Sequence, residues 1–362
     1  MKMTINTSTL QNMVAKAMKG ASCNKMIPLT GLMAIHLNSN SHRLTLLTTD
    51  ATNYLYVRED KVEGEEFYVV VQAEMFAKLI SKLTCEKVSL ELKDNILTVK
   101  GNGKYSIELP LDEEGELIKY PHPLGDKTFD GDTYTVNLST IKLILNTAKS
   151  ALANTLEVPC YTGYYVGNKV VATDTYKICG IDIKLWDEPA LISPEMMSLL
   201  DLFTDEKITV YRDNNIMVFK TDNCTVYGTL MDSIDDYQIE AINGLIEQEF
   251  DSACKVTKSA LLQLLDRLAL FVSPYDKNGV YLTFTKEGLQ IESKQANSVE
   301  LIPYAESENF RPFTCCVDIE MLHSQVKANT GDAITIHYGE DNAIKITDGN
   351  VSQVVALLED ER

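Results

Sequence analysis

The residues best placed to do chemistry are two aspartates. Asp50 and Asp174 each close an apolar run after a threonine, Leu46–Asp50 (LLTTD) and Val170–Asp174 (VVATD). Carboxylates at strand ends can hold a divalent cation, but an aspartate there also bonds the backbone of its own turn, and the turn is the expected role. The related run Leu289–Lys294 (LQIESK) lacks the Thr-Asp pair, which argues against a chemistry shared by the runs. Asp235-Asp236 reads likewise as a solvated turn. The histidines His36, His42, His122, His323 and His337 are scattered, none at i+3 or i+4 from another. No P-loop, G-x-G-x-x-G, G-x-S-x-G or H-E-x-x-H is present, so the motifs that cradle phosphate, seat a nucleophile or bind zinc are missing. Eight cysteines show no C-x-x-C spacing and are expected to be reduced and buried in a cytoplasmic protein. Neither an enzyme nor a metal or cofactor is expected.

The elements that carry these residues recur. Leu10, Met13, Val14 and Ala17 have the i, i+3, i+4, i+7 spacing of an amphipathic helix. Ile141, Ile144, Leu145 and Ala148 repeat it, and Leu261, Leu264, Leu265 and Leu268 repeat it again, each behind a serine (Ser8, Ser139, Ser259). Glu74-Met75-Phe76, Glu195-Met196-Met197 and Glu320-Met321-Leu322 open a second helix in each repeat. Hairpin patterns follow at Val88–Val99, Ile208–Phe219 and Ile334–Ile346, alternating apolar residues about an Asp/Asn-rich turn. The period is that of a whole domain, not of a solenoid. Three similar α+β domains are expected, at 1–125, 126–250 and 251–362, each with two helices packed on antiparallel sheets. Their seams are expected in Tyr120–Thr133 and in the polar segment Asp235–Asp251. A composition 45% hydrophobic and 23% charged, without an 18-residue apolar run, predicts a soluble protein with no membrane contact and no signal peptide.

Net charge is −19, which by itself speaks against nucleic-acid binding. Its distribution does not. The six helical patterns together carry a small positive balance, from Lys16, Lys19, Lys78, Lys82, Lys142, Lys149, Lys258, Arg267 and Lys327. Each helix spends its apolar stripe on a core, so these cations are expected on its back. Three domains curving with helices inward would make half a ring, and two chains head to tail would close it. The alternating segment Lys104–Leu109 (KYSIEL) has no evident partner in its own repeat and is a candidate free edge.

These residues resemble the bacterial sliding clamp, the beta subunit of the replicative DNA polymerase. The resemblance is carried by Met1-Lys2-x-Thr4, Ile27-Pro28-Leu29, Ala172-Thr173-Asp174-Thr175-Tyr176-Lys177-Ile178 and Asp236-Tyr237, and by the threefold spacing across the chain. It implies the DNA-clamp fold, a head-to-tail homodimeric ring threaded by double-stranded DNA without sequence preference, and no catalysis. The implied partners are a clamp loader and replicative and repair DNA polymerases, bound through short clamp-binding peptides. A clamp-fold scaffold that no longer encircles DNA is the alternative. The resemblance adds Asn24 and Lys25 to the helix-back cations as DNA contacts. It implies a dimer interface of Lys104, Tyr105 and Ile107 against Phe271, Val272, Val299, Glu300 and Leu301, with Lys104–Leu109 pairing with Asn297–Ile302 and Lys104 near Glu300.

The resemblance also implies a partner-peptide pocket of Tyr161, Thr173, Thr175, Tyr176, Lys177, Ile178, Asp235, Tyr237, Val354, Val355, Ala356, Leu357 and Leu358. Five apolar residues in a row, Val354–Leu358, exceed what a one-sided strand buries, so part of the run is expected to face that pocket. Two departures fall here. Ile234-Asp235-Asp236-Tyr237 stands where the clamps have Phe-Pro-Asp-Tyr, and the chain ends Ala356-Leu357-Leu358-Glu359-Asp360-Glu361-Arg362 rather than in a Met-Pro-x-Arg-Leu type tail. An acidic rim is therefore expected, tolerant of a basic residue in the partner peptide.

Overall fold

A computed structural model describes residues 1–125, 131–294 and 298–359. Its helices are α1 (Thr7–Ala17), α2 (Ala73–Ser81), α3 (Leu138–Thr147), α4 (Pro194–Leu200), α5 (Ile239–Glu247), α6 (Lys258–Leu268) and α7 (Ile319–Ala328). In α1 and α6 the four repeated apolar positions are all buried. In α3, Ile141, Ile144 and Ala148 are buried and Leu145 is half-buried. The first helix of each repeat starts on the same tether. The backbone N–H of Thr7, Leu138 and Lys258 donates to the carbonyl of Glu86, Glu206 and Asp332 at 3.0, 2.8 and 2.9 Å. The N-cap residues Asn6 and Thr257 give no side-chain bond, so this long-range contact satisfies one of the helix's orphan donors. Each first helix then tightens into a 3-10 turn, at Met18–Gly20, Ala148–Ala151 and Ala269–Phe271. A second such turn, started by proline, follows at Pro28–Gly31, Pro159–Thr162 and Pro274–Asp276.

Four sheets carry the helices, and their paired strands are antiparallel. The chain gathers into two compact units, residues 1–139 with 195–230, and residues 140–194 with 231–362. In the first unit a five-stranded sheet ends on Lys104–Glu108, and an eight-stranded sheet joins the first two repeats. There Cys224–Thr229 pairs with Asn53–Glu59, Cys224 facing Val57. In the second unit a nine-stranded sheet joins the last two repeats, with Lys177–Ile181 paired to Val351–Ala356, and a four-stranded sheet ends on Val299–Ile302. Shared sheets explain why the compact units cut through the middle repeat.

The hairpins form as the alternation predicts. The Asp94-Asn95 turn has both residues left-handed (φ 49° and 62°), the geometry that matches strand twist. Two expectations are corrected. Lys104–Glu108 does have a partner in its own repeat, Ile96–Lys100, and only its other side is free. The segment read as a polar seam holds α5, whose Ile242 is buried and whose Ile239 and Ile246 are partly buried against the second unit's core. Lys345 donates to the carbonyls of Ile246 and Gln248 at 3.3 and 2.6 Å, a cation placed where the end of a helix favours one. Gly180 makes room for α5, since a Cβ there would lie 2.7 Å from Ile246 Cδ1. The expected strand start Asn297, the seam residues 126–130 and the tail Asp360-Glu361-Arg362 lie outside the described residues. All eight thiols are free; six are buried, Cys85 is half-buried and Cys23 is exposed. No described helix is long and apolar enough to cross a membrane.

Candidate functional site

The helix-back cations divide into two groups. Lys19, Lys25, Lys82, Lys142, Lys149 and Lys327 are exposed and Lys16 is half-buried, and none of them forms an ion pair among the described residues. The others are held by neighbours. Lys78 pairs with Glu74 one turn back on α2 at 2.5 Å, the favoured i, i+4 order. Arg267 forks onto Glu300 through Nε at 2.8 Å and Nη2 at 2.5 Å, and this hydrogen bonding holds the Glu300 carboxyl below its ordinary range. Lys258 donates to the Asn329 carbonyl just past α7 at 2.6 Å. Asn24 is exposed, and its Oδ1 accepts from the Met26 N–H at 2.9 Å, building its own turn.

Among the sheet edges are Lys104–Glu108 in the first unit and Val299–Ile302 in the second. On the edge strand Lys104–Glu108, Lys104 is exposed and Tyr105 is 37% exposed. Ile107, expected at an interface, is only 4% exposed and belongs to the core of its own sheet. Tyr105 and Ile107 share a face, since residues two apart on a strand point the same way, and along that face only Ile107 is buried. On the edge strand Val299–Ile302, Val299 and Leu301 are exposed, as is Phe271 at 48%. Val272 is instead partly buried against the third repeat's core. Glu300 is already held by Arg267, so it is not waiting for Lys104. Sequence reasoning passed over Leu270, which is 79% exposed beside Phe271.

The residues expected to line a peptide groove all belong to the second unit. Thr173, Ile178, Tyr161, Tyr237 and Val354 are buried, and Tyr237 sits between two rings, 5.1 Å from Tyr161 and 5.0 Å from Tyr165. Burial pushes its phenol far above the ordinary value. Val354 packs with this cluster, whereas Val355 points the other way into the third repeat's core. The apolar run therefore begins as a strand buried on both faces, which corrects Val354 and Val355 as open pocket walls. Ala356, Leu357 and Leu358 remain half-buried, with Asp235 and Glu359 exposed. Ala356 N–H donates to the Tyr176 carbonyl at 2.9 Å and Leu358 N–H to the Cys316 carbonyl at 2.8 Å, fixing the strand's exit. Lys177 turns inward, donating to the Ser150 carbonyl at 2.7 Å and lying 3.2 Å from Asp174.

The two Thr-Asp turns are built alike. Asp50 Oδ1 accepts from the N–H groups of Thr52 and Asn53, and Asp174 Oδ1 from those of Tyr176 and Lys177, all within 3.0 Å. The residue after each aspartate is left-handed, Ala51 at φ 89° and Thr175 at φ 80°. For a β-branched residue that conformation is strained. Its consequence in the second unit is that Tyr176 stands 61% exposed beside the C-terminal strand. Both carboxylates are turn-builders, and no metal-holding cluster occurs among the described residues.

Residues 1–119 match the family model described as DNA polymerase III beta subunit, N-terminal domain. No curated protein matches the chain. Solved structures match it from end to end. The DNA polymerase sliding clamp of Bacillus subtilis is 18% identical with a TM-score of 0.84, covering 99% of each chain. The DNA polymerase beta subunit of Streptococcus pyogenes is 15% identical with a TM-score of 0.86, covering 99% of this chain and 100% of that one. A Bartonella birtlesii sliding clamp bound to griselimycin is 14% identical with a TM-score of 0.84, again covering 99% and 100%. The chain has the clamp fold over its whole length.

Proposed function

With the beta-subunit N-terminal domain matched over residues 1–119 and the clamp fold over the whole chain, we propose that this protein is a sliding clamp. It is a non-catalytic processivity subunit that encircles duplex DNA and tethers DNA polymerases. Its three repeats act as three clamp domains, at about the boundaries the sequence suggests, and two chains close a ring head to tail.

The observation that carries this reading is the division of charge. A protein of net charge −19 keeps Lys16, Lys19, Lys82, Lys142, Lys149 and Lys327 unpaired on or just beyond its helices. Unpaired cations opposite a regular phosphate lattice give sequence-blind, salt-dependent affinity, which suits a sliding protein. Free edges on Lys104–Glu108 and Val299–Ile302 support closure by sheet continuation, because each edge leaves backbone donors and acceptors to satisfy. Tyr105 meets Phe271, Leu270, Val299 and Leu301 in this reading. Tyr176 and the half-buried Ala356–Leu358 form the site for a short partner peptide, an assignment supported by the strained turn that presents Tyr176. The Bartonella clamp bound to griselimycin is consistent with a ligand site on this fold.

The test is retention on DNA. Loaded onto nicked circular DNA, the protein stays bound through gel filtration and is lost when the same DNA is linearised. Equal loss from both forms would leave the clamp-fold scaffold as the better reading.

A further inference from the structure

One cavity of the first unit is lined by none of the helix-back cations, none of the strands Lys104–Glu108 and Val299–Ile302, and none of the expected peptide-site residues. It encloses about 100 Å3 between the eight-stranded sheet and the segment 118–124 that crosses it, and is lined by His36, Tyr56, Arg58, Tyr68, Tyr120 and His122, among others. We propose that this cavity is a binding site for a free oxyanion of phosphate size.

The case rests on a cation without an anion. Arg58 donates through Nη1 to Thr225 Oγ1 at 2.6 Å and lies 5.3 Å from the centre of the Tyr56 ring. No carboxylate pairs with it among the described residues. Neighbouring Arg43 already has its own carboxylate, Asp60. Burial of the guanidinium pulls its pKa down, and neighbouring Arg43 adds to this. A desolvated arginine is ordinarily matched by a carboxylate or phosphate that takes its planar fork. Here the remaining N–H groups face a space instead.

The rest of the lining supplies donors. Tyr56 Oη accepts from the Leu124 N–H at 3.3 Å, and Tyr68 Oη accepts from the Tyr120 N–H at 3.1 Å. Each phenol is thereby used as an acceptor, and neither hydroxyl proton has an acceptor among the described residues. His122 Nδ1 accepts from the Gly125 N–H at 2.8 Å, which places its ring proton on Nε2. His36 lies at the rim, bonded through Nε2 to Glu66 at 2.9 Å. Among the described residues, no carboxylate lines the cavity itself, and Glu66 is occupied by that bond. A guanidinium and two phenol protons around a small space suit a compact anion with several acceptor oxygens. The volume is too small for a nucleotide, since drug-sized ligands fill several hundred Å3. An anion there would bridge Arg58 of the sheet to the crossing segment that carries Tyr120 and His122, pinning that segment in place.

Inorganic phosphate titrated into the full-length protein tests this by calorimetry and thermal unfolding, with O-phosphoserine as a monoester in a parallel arm. The expected result is saturable binding of phosphate with a rise in Tm. It should weaken at least tenfold in both Arg58→Lys, which keeps charge but loses the fork, and Tyr68→Phe, a substitution at a half-exposed ring. Binding of phosphate without O-phosphoserine identifies a free anion. Binding of both keeps the site but assigns it to a phosphate group carried on a larger molecule. Absence of saturable phosphate binding, or equal binding by wild type and Tyr68→Phe with Arg58→Lys folded, would overturn the proposal. None of these outcomes bears on DNA retention, so the clamp reading stands or falls separately.

Discussion

Neutralising four lysines, Lys16, Lys19, Lys142 and Lys149, to glutamine is the sharpest perturbation of the DNA face. These side chains are exposed or half-buried and unpaired, so the change removes cations without stranding a carboxylate. Surface changes of this kind usually move stability by no more than about 0.5 kcal/mol, and the melting curve should be nearly unchanged. Each lysine that neutralises a phosphate contributes about 0.9 to the slope of log K against log salt. Four of them should lower that slope by roughly 3–4 per chain, so that between 50 and 200 mM salt the variant's affinity falls about 100-fold less than the wild type's. Lys78→Gln is the control, because its ammonium is already paired with Glu74 and its slope change should stay well below the roughly 0.9 of one phosphate-neutralising lysine. Fluorescence anisotropy on a short duplex, measured across that salt range, reads both quantities. An unchanged slope in the quadruple variant would refute the assignment of the helix backs. So would a Lys78→Gln effect as large as that of one unpaired lysine.

The other expectations concern assembly, partner binding and pH. Tyr105→Asp combined with Phe271→Asp should give a folded monomer in sedimentation, whereas Ile107→Ala should cost about 2–5 kcal/mol of stability, because Ile107 is buried in its own sheet; a double variant that stays dimeric would place the interface elsewhere. A chain ending at Val355 loses the bonds from Leu357 to the Asn342 carbonyl and from Leu358 to that of Cys316. It should bind a clamp-binding peptide at least tenfold more weakly by calorimetry, and equal affinity would remove the C-terminal strand from the site. Burial, and secondarily Lys345, holds the His337 imidazole below its ordinary value, so the unfolded chain takes up this proton more readily than the folded one. The resulting stability is complete above about pH 6.5 and is lost as pH falls toward the folded-state value. Urea midpoints between pH 5 and 7.5 should show this slope in the wild type and a flatter one in His337→Gln.

What the sequence by itself determined is the part written in local periodicity. The stripe Leu10-Met13-Val14-Ala17 and its two echoes needed only a 3.6-residue period to be read as helices. Asp50 and Asp174 were legible as turn-builders because an aspartate reaches the N–H groups two and three residues on, without help from the rest of the chain. The family resemblance, too, rested on short motifs kept in order. Tertiary structure decided what depends on residues far apart. Arg267 is neutralised by Glu300 and Lys258 is drawn to Asn329, both across the third repeat, so the free cations could not be told from the occupied ones. Val354 and Val355 face different cores because Val351–Ala356 is an inner strand of a sheet shared by two repeats. The helix α5 hid in an acidic stretch, Asp235–Asp251, with Asn243 and Gly244 inside the helix itself. Its few isoleucines bury enough surface only against a core assembled from distant segments, and short helices owe their stability to such docking rather than to propensity.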